Sequence, residues 1–228
     1  MPGMPLNLVA DIIDETARPA LPAQAAGEAD HRIANNLMII AGLIRRQAAR
    51  LPAEPTLPTE KVRDWFEEMS LRIDAVGRLH ALLRADHGAA VVDLAAYLRE
   101  VAQAAIASLS HADRTDVSFD LLPACEITAK QGAGIGLLVT EAMTNAFKYS
   151  HPSGVPGKLT ITTRRGRDGG LVIEIADDGV GLPEGFDPQN GKSNGFRLMR
   201  AAADQLRGRL AFEQRRLGFC VRLEVPKM

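Results

Sequence analysis

The sequence predicts a helical hairpin followed by a two-layer α/β sandwich, an α + α/β chain whose hairpin completes a four-helix bundle only by pairing with a second copy. Three observations predict it. An apolar stripe at helical spacing, Ile33, Leu37, Ile40 and Ile44, precedes a proline-containing connection and then a heptad stripe, Val62, Phe66, Met69, Ile73, Val76, His80 and Leu83. The heptad is lost around Gly88. Beyond it, apolar residues alternate in about five short runs separated by helical stretches, the pattern of a sheet covered by helices on one face.

Residues 1–25 are rich in proline and alanine and have room for a short helix at most, over 6–16. The dimerisation domain is expected over 26–87. Its first helix runs over about 27–50 and stops at Leu51-Pro52; 53–59 connect it to the second helix. Each helix of such a hairpin carries an apolar stripe that one neighbour cannot cover, which is why a two-fold homodimer is expected. His80 lies within the second stripe and reads as a packed core or interface residue, and Trp65 beside it as a packing anchor.

The second domain is expected over 88–228. Asp93 is placed to cap a helix through Leu109. Strands are expected around Val117, Phe119 and Leu121; Leu159, Ile161 and Thr163; Leu171, Ile173 and Ile175; Leu210 and Phe212; and Phe219, Val221, Leu223 and Val225. Helices are expected over about 131–149 and 196–207, the second ending at Gly208, in a mostly antiparallel mixed sheet.

Bulk composition narrows the function. A hydrophobic content of 46% over 228 residues fills a real core, and a net charge of −1 offers no basic footprint for nucleic acid or a membrane surface. The two cysteines, Cys125 and Cys220, lack metal-ligand spacing and read as buried thiols, which fits a reducing, cytoplasmic setting. No run is long and apolar enough to span a membrane.

Four stretches carry polar chemistry. His31 projects about 150° from the stripe of its own helix, sharing the outward face with Glu28 and Asn35; a solvated bystander would look the same. On the helix over 131–149, Glu141, Asn145 and Lys148 follow at i, i+4, i+7 on one face, opposite Ile135, Leu138, Val139, Ala142, Met143 and Ala146. A carboxylate, an amide oxygen and an ammonium in one stripe suit a proton, a hard cation and phosphate oxygens, or an ordinary charged surface. The apolar strand ending at Ala176 runs into Asp177-Asp178-Gly179-Val180-Gly181, which suits either a carboxylate at the floor of a pocket, reading an exocyclic amine, or a plain turn. The loop over 182–194 enters a helix through Gly191-Lys192-Ser193-Asn194-Gly195, and its backbone N–H groups suit phosphate or a simple cap.

Taken in order, His-Arg-Ile-Ala-Asn-Asn-Leu at 31–37, Thr-Glu-Ala-Met-Thr-Asn-Ala-Phe-Lys-Tyr at 140–149, Asp-Asp-Gly-Val-Gly-Leu-Pro at 177–183 and Gly-Phe-Arg-Leu-Met at 195–199 resemble the H, N, G1 and G2 boxes of sensor histidine kinases. The nearest likeness is to the group whose phosphoacceptor box reads His-Arg-x-x-Asn-Asn, the HisKA_2 or HWE-related kinases, and it extends over about 26–226. The resemblance implies a dimerisation and phosphotransfer hairpin followed by a Bergerat-type ATP-binding domain. It implies His31 as phosphoacceptor and Glu141 as the base or orienting carboxylate. Asn145 would be the Mg²⁺ ligand, Lys148 would lie on the phosphates and Asp177 on adenine, with Gly179 and Gly181 as lid hinges and Gly191 and Gly195 flanking the phosphates.

ATP and Mg²⁺ are the implied cofactors and a response regulator receiver domain the implied partner; such kinases normally carry an N-terminal sensor, and the sensory input is expected from a separate sensor protein or from a missing segment. The G2 box departs from the family in Ser193, where a third glycine is usual, and in Asn194, where leucine is usual; the WxE element of the strict HWE group is absent. The competing expectation is a phosphorelay protein that accepts phosphate on His31 from another protein and carries a degenerate ATP-binding domain.

Overall fold

The computed structural model describes residues 58–85, 91–109, 114–189 and 194–227, together with Gly42 and Arg45. Apart from Gly42 and Arg45, which are helical, the first helix of the expected hairpin, with His31, lies outside the described residues, as does Gly191 of the last loop. The elements in chain order are α1 (Thr59–Ala85), β1 (Val91–Asp93), α2 (Leu94–Ser108), β2 (Thr115–Asp120), β3 (Glu126–Thr128), α3 (Ala129–Tyr149), β4 (Gly157–Arg165), β5 (Leu171–Asp177), α4 (Asn194–Gln205), β6 (Arg209–Gln214) and β7 (Phe219–Val225).

The main sheet has five strands in the order β2-β4-β5-β7-β6. Only β2 and β4 run parallel; the other neighbours are antiparallel. Register follows from the alternation read in the sequence. One apolar row crosses all five strands through Phe119↔Ile161, Ile161↔Ile175, Ile175↔Val221 and Val221↔Phe212. Slipping any strand by one residue would turn its part of the row to the other face, so burial fixes the pairing. The five expected strands and both later helices are present. A second sheet of two strands, β1 and β3, was not expected.

The helices start where local chemistry lets them. Asp93 caps α2 by accepting from the Ala96 N–H at 2.8 Å. Thr128 and Gln131 form a reciprocal capping box on α3, with the Gln131 N–H donating to the threonine hydroxyl and the Thr128 N–H donating to Gln131 Oε1 at 2.9 Å. From there α3 lays Ile135, Leu138, Val139 and Met143, all fully buried, into the core.

The second long helix of the expected hairpin is α1. Its heptad stripe divides: Val76 and Leu83 are buried, whereas Phe66 is 70% exposed. The face that α1 turns to α2 and α3 is another stripe, Leu71, Ala75 and Leu79, spaced by four and buried to 2% exposure. Tyr97 of α2 locks this junction. It is fully buried, its hydroxyl donates to the Ala75 carbonyl at 3.1 Å, and it lies where a Cβ on Gly136 of α3 would be.

Gly136→Ala is therefore expected to lower the thermal midpoint, although alanine is favoured over glycine inside a helix by about 1 kcal/mol. Differential scanning calorimetry of the two chains checks the sign.

Candidate functional site

A cavity of about 550 Å³ lies between α3, the ends of β4, β5 and β7, and the loop that follows β5. That size suits a nucleotide-sized ligand. Its walls are chiefly apolar: Ala142 and Ala146 of α3, Leu159, Ile175 and Val221 of the sheet, Leu182 and Pro183 of the loop, and three phenylalanines. Phe196 is the hub of the aromatic wall, with ring centroids 5.4 Å from Phe186, 5.0 Å from Phe212 and 6.2 Å from Phe219. Polar side chains break the apolar lining at Asp177, at the end of β5, at Asn145 on α3, and at Tyr149 and Ser150, of which Ser150 is buried and Tyr149 exposed.

Asp177 is held by backbone. Its Oδ1 accepts from the Gly179 N–H at 2.9 Å, and burial pushes its carboxyl above the usual aspartate range against the opposing pull of the Gly179 and Phe219 N–H groups and His151. The turn after it is anchored on both sides. Toward α3, the Val180 N–H donates to the Ser150 carbonyl at 2.9 Å, and Asp178 Oδ1 lies 3.3 Å from His151 Nε2 and 2.7 Å from the Lys158 N–H it accepts. Toward the sheet edge, Gln214 of β6 accepts from the Leu182 N–H at 2.8 Å and donates to the Gly218 carbonyl at 3.2 Å.

Two glycines of the turn are demanded by this closeness. Gly179 leaves no space for a side chain beside Ser150; Gly181 has a φ of +73° and abuts the Gln214 amide. The loop beyond is pinned by Arg200 of α4, which donates to the Pro188 carbonyl at 2.5 Å.

The polar stripe of α3 is brought together as the spacing implied, but only part of it reaches the cavity. Asn145 lines it. Gly195, at the start of α4, lies over Glu141 and Asn145, where a Cβ would be 3.1 Å from Glu141 Oε2. Glu141 is 4% exposed, so the face is not a solvated charged surface. Arg72 of α1 binds it with two bonds, Nε to Oε1 at 2.5 Å and Nη2 to Oε2 at 3.2 Å. Burial pushes the Glu141 carboxyl up and Arg72 pulls it back. Lys148 Nζ donates to Glu68 of α1 at 2.9 Å; burial opposes its charge, but Glu68, with Asp64 behind it, keeps the ammonium above its usual range.

The donor set fits a metal that arrives with phosphates rather than a metal held by protein alone. Asn145 offers one neutral hard oxygen, and among the described residues no group of three or more His, Cys, Asp or Glu side chains converges. Sequence reasoning missed Arg72, Gln214 and Gly218. Gly218 has a φ of +80° and lies against the Asp177 carbonyl, where a side chain would collide; its signal is a glycine in the four-residue β6–β7 connection. Both cysteines are buried as expected, Cys220 with its thiol pushed up to about 11 by burial.

Residues 28–109 match the family model HisKA_2, described as histidine kinase, and 130–228 match that of the histidine kinase-, DNA gyrase B- and HSP90-like ATPases. Blue-light-activated histidine kinase 2 of Erythrobacter litoralis is 26% identical over 208 residues, covering 87% of this chain and 56% of its own length. The sensor histidine kinase PdtaS of Mycobacterium tuberculosis is 26% identical over 205 residues, covering 87% of this chain and 38% of its own. The chain thus spans about half or less of these relatives. Among solved structures, the histidine kinase domain of the E. litoralis EL346 blue-light activated histidine kinase shares the fold, with a TM-score of 0.67 at 24% identity over 89% of this chain and 93% of that one.

Gly218→Ala is expected to cost about 1–3 kcal/mol of stability, from the left-handed backbone alone, and to weaken adenine nucleotide binding by displacing Asp177. Urea denaturation and calorimetric titration with ADP measure the two effects separately.

Proposed function

The chain belongs to the histidine kinases, joining a HisKA_2-type region to an ATPase domain of the gyrase B and HSP90 type, and from that premise we propose that it phosphorylates His31 from ATP and passes the phosphoryl group to an aspartate of a response regulator receiver domain. The observation that carries this reading is Asp177 at the end of an apolar cavity that Asn145 also lines. An ionised carboxylate among Leu159, Ile175 and Val221 accepts from the exocyclic amine of adenine, while the apolar walls take the ring faces.

In the proposed reaction a neutral ring nitrogen of His31 attacks the γ-phosphorus, the bond to the β–γ bridging oxygen breaks, and ADP leaves with that electron pair. The proton on the imidazole passes to Glu141, acting as base. Asn145 would hold Mg²⁺ through its side-chain oxygen and Lys148 would draw the phosphate oxygens, with Gly191 and Gly195 in the proposed role of flanking them and Gly179 and Gly181 in that of letting the lid backbone turn. The chemistry that Mg²⁺ would supply there, bound with the nucleotide, is charge neutralisation at the phosphates. Homodimerisation through the helical hairpin and a cytoplasmic location complete the reading. No described helix is long and apolar enough to cross a membrane.

Incubation of the chain with γ-labelled ATP and Mg²⁺ is expected to give acid-labile, base-stable label that is absent in His31→Gln and reduced roughly 10²-fold or more in Asn145→Ala. Label that appears only after a second kinase is added, and is unaffected in Asn145→Ala, replaces this reading with the phosphorelay protein suggested by Ser193 and Asn194.

Affinity for adenine nucleotide is expected to fall as pH falls through the raised value of Asp177, because the free protein then binds a proton where the complex needs a bare carboxylate. The loss begins at a higher pH than the ~3.9 of an ordinary aspartate. Dividing wild-type by Asp177→Asn affinities at each pH removes the titration of the nucleotide itself.

A further inference from the structure

The two charged residues of α3 on which the proposed chemistry depends are both engaged by α1. Along α1, Asp64, Glu68 and Arg72 recur every four residues and so share one face. Arg72, 3% exposed, holds Glu141 through two bonds; Glu68 accepts from Lys148 at 2.9 Å; Asp64 adds a second carboxylate 3.8 Å from the same ammonium. Glu68 also lies 3.4 Å from Arg72, so the four inner charges form one alternating ladder, Glu141, Arg72, Glu68, Lys148.

The register is not accidental. Leu79 packs where Gly132 leaves room, Ala75 is tied to Tyr97, and then come the Arg72 and Glu68 contacts, so α1 steps down its sequence as α3 steps up. Asn145 on the same face is left lining the cavity.

We propose that α1 is a latch: docked along α3, it places the Glu68 carboxylate on the ammonium that would meet nucleotide phosphate and the Arg72 guanidinium on the carboxylate that would take the histidine proton, and phosphoryl transfer requires the ladder to part. This deepens the kinase reading of the same site and rests on it. Glu68 acts here as an internal substitute for a phosphate oxygen, one anion exchanged for another at Lys148. Arg72 acts as a cap: it occupies one lone pair on each oxygen of Glu141 and its charge favours the bare carboxylate, so while both bonds persist Glu141 is a weaker proton acceptor.

Glu68 is only half-buried, so Glu68→Gln removes the charge at Lys148 without stranding a buried group; Arg72→Met is the more disruptive companion. The full chain is titrated with ATP and with adenosine, in chelator without metal, and its autophosphorylation rate is measured with Mg²⁺. The latch predicts that Glu68→Gln raises affinity for ATP about tenfold while leaving adenosine unchanged, the difference expected for one charge-assisted hydrogen bond, and raises the rate of His31 labelling by a similar factor. If wild type is labelled and Glu68→Gln leaves both the ATP-to-adenosine ratio and the rate unchanged or lower, the ladder is a brace and the latch is wrong, with the kinase reading intact. If no chain is labelled and the ratio still rises tenfold, the ladder does shield Lys148 and the kinase reading is what fails.

Discussion

A carboxylate taken out of water needs donors or a cation to offset its lost hydration, and Glu141 meets Arg72. Much of the arrangement of α1 follows from that requirement. A buried ion pair with a well-packed apolar substitute of the same shape would often be as stable or more so, so such a pair is weak evidence of stabilisation in itself. What it does enforce is register. Arg72 can reach both oxygens of Glu141 only if Leu79 lies over Gly132 and Ala75 beneath Tyr97, and the glycines at 132 and 136 are the places where α3 gives way to those side chains.

On the other side of α3 the constraint is different. Alanines at 142 and 146 keep the helix low beside the cavity, and the sheet supplies Leu159, Ile175 and Val221 as its floor. Into this apolar volume the fold admits a single aspartate, held by backbone N–H groups from two directions. The turn that carries it is tied to α3 through Ser150 and to β6 through Gln214. Such a turn is fixed at its base, and beyond Pro183 the loop is tied to α4 where Arg200 donates to the Pro188 carbonyl.

The sheet was legible because its strands are long enough to alternate: Leu159 and Ile161, Leu171, Ile173 and Ile175, and the run from Phe219 to Val225 each repeat with period two. The three-residue β1 and β3 were not, since three residues cannot display a period; β1 fell at the edge of the stretch where Gly88 suggested a boundary. In α1 the heptad drew attention to Phe66 and Ile73, while the face that packs within this chain is Leu71, Ala75 and Leu79, a second stripe overlapping the first.

The Glu141, Asn145 and Lys148 triplet was visible as a spacing, and its division between a cavity and an ion-pair ladder was not. That division depends on Arg72, 69 residues away in sequence and outside the heptad positions. Gln214 and Gly218 were likewise invisible, because their importance lies in which backbone they touch.

The strand pairings also order events in time. β4 with β5 and β6 with β7 are hairpins closed by short connections, so each can form early at small loop-closure cost. Joining β5 to β7 closes a loop that contains α4 and β6, and fastening α1 through residues 69 positions apart comes at a still larger separation. A segment that arrives last on an already assembled body can also leave it first. Its detachment would surrender only its own contacts and leave the five-stranded platform standing.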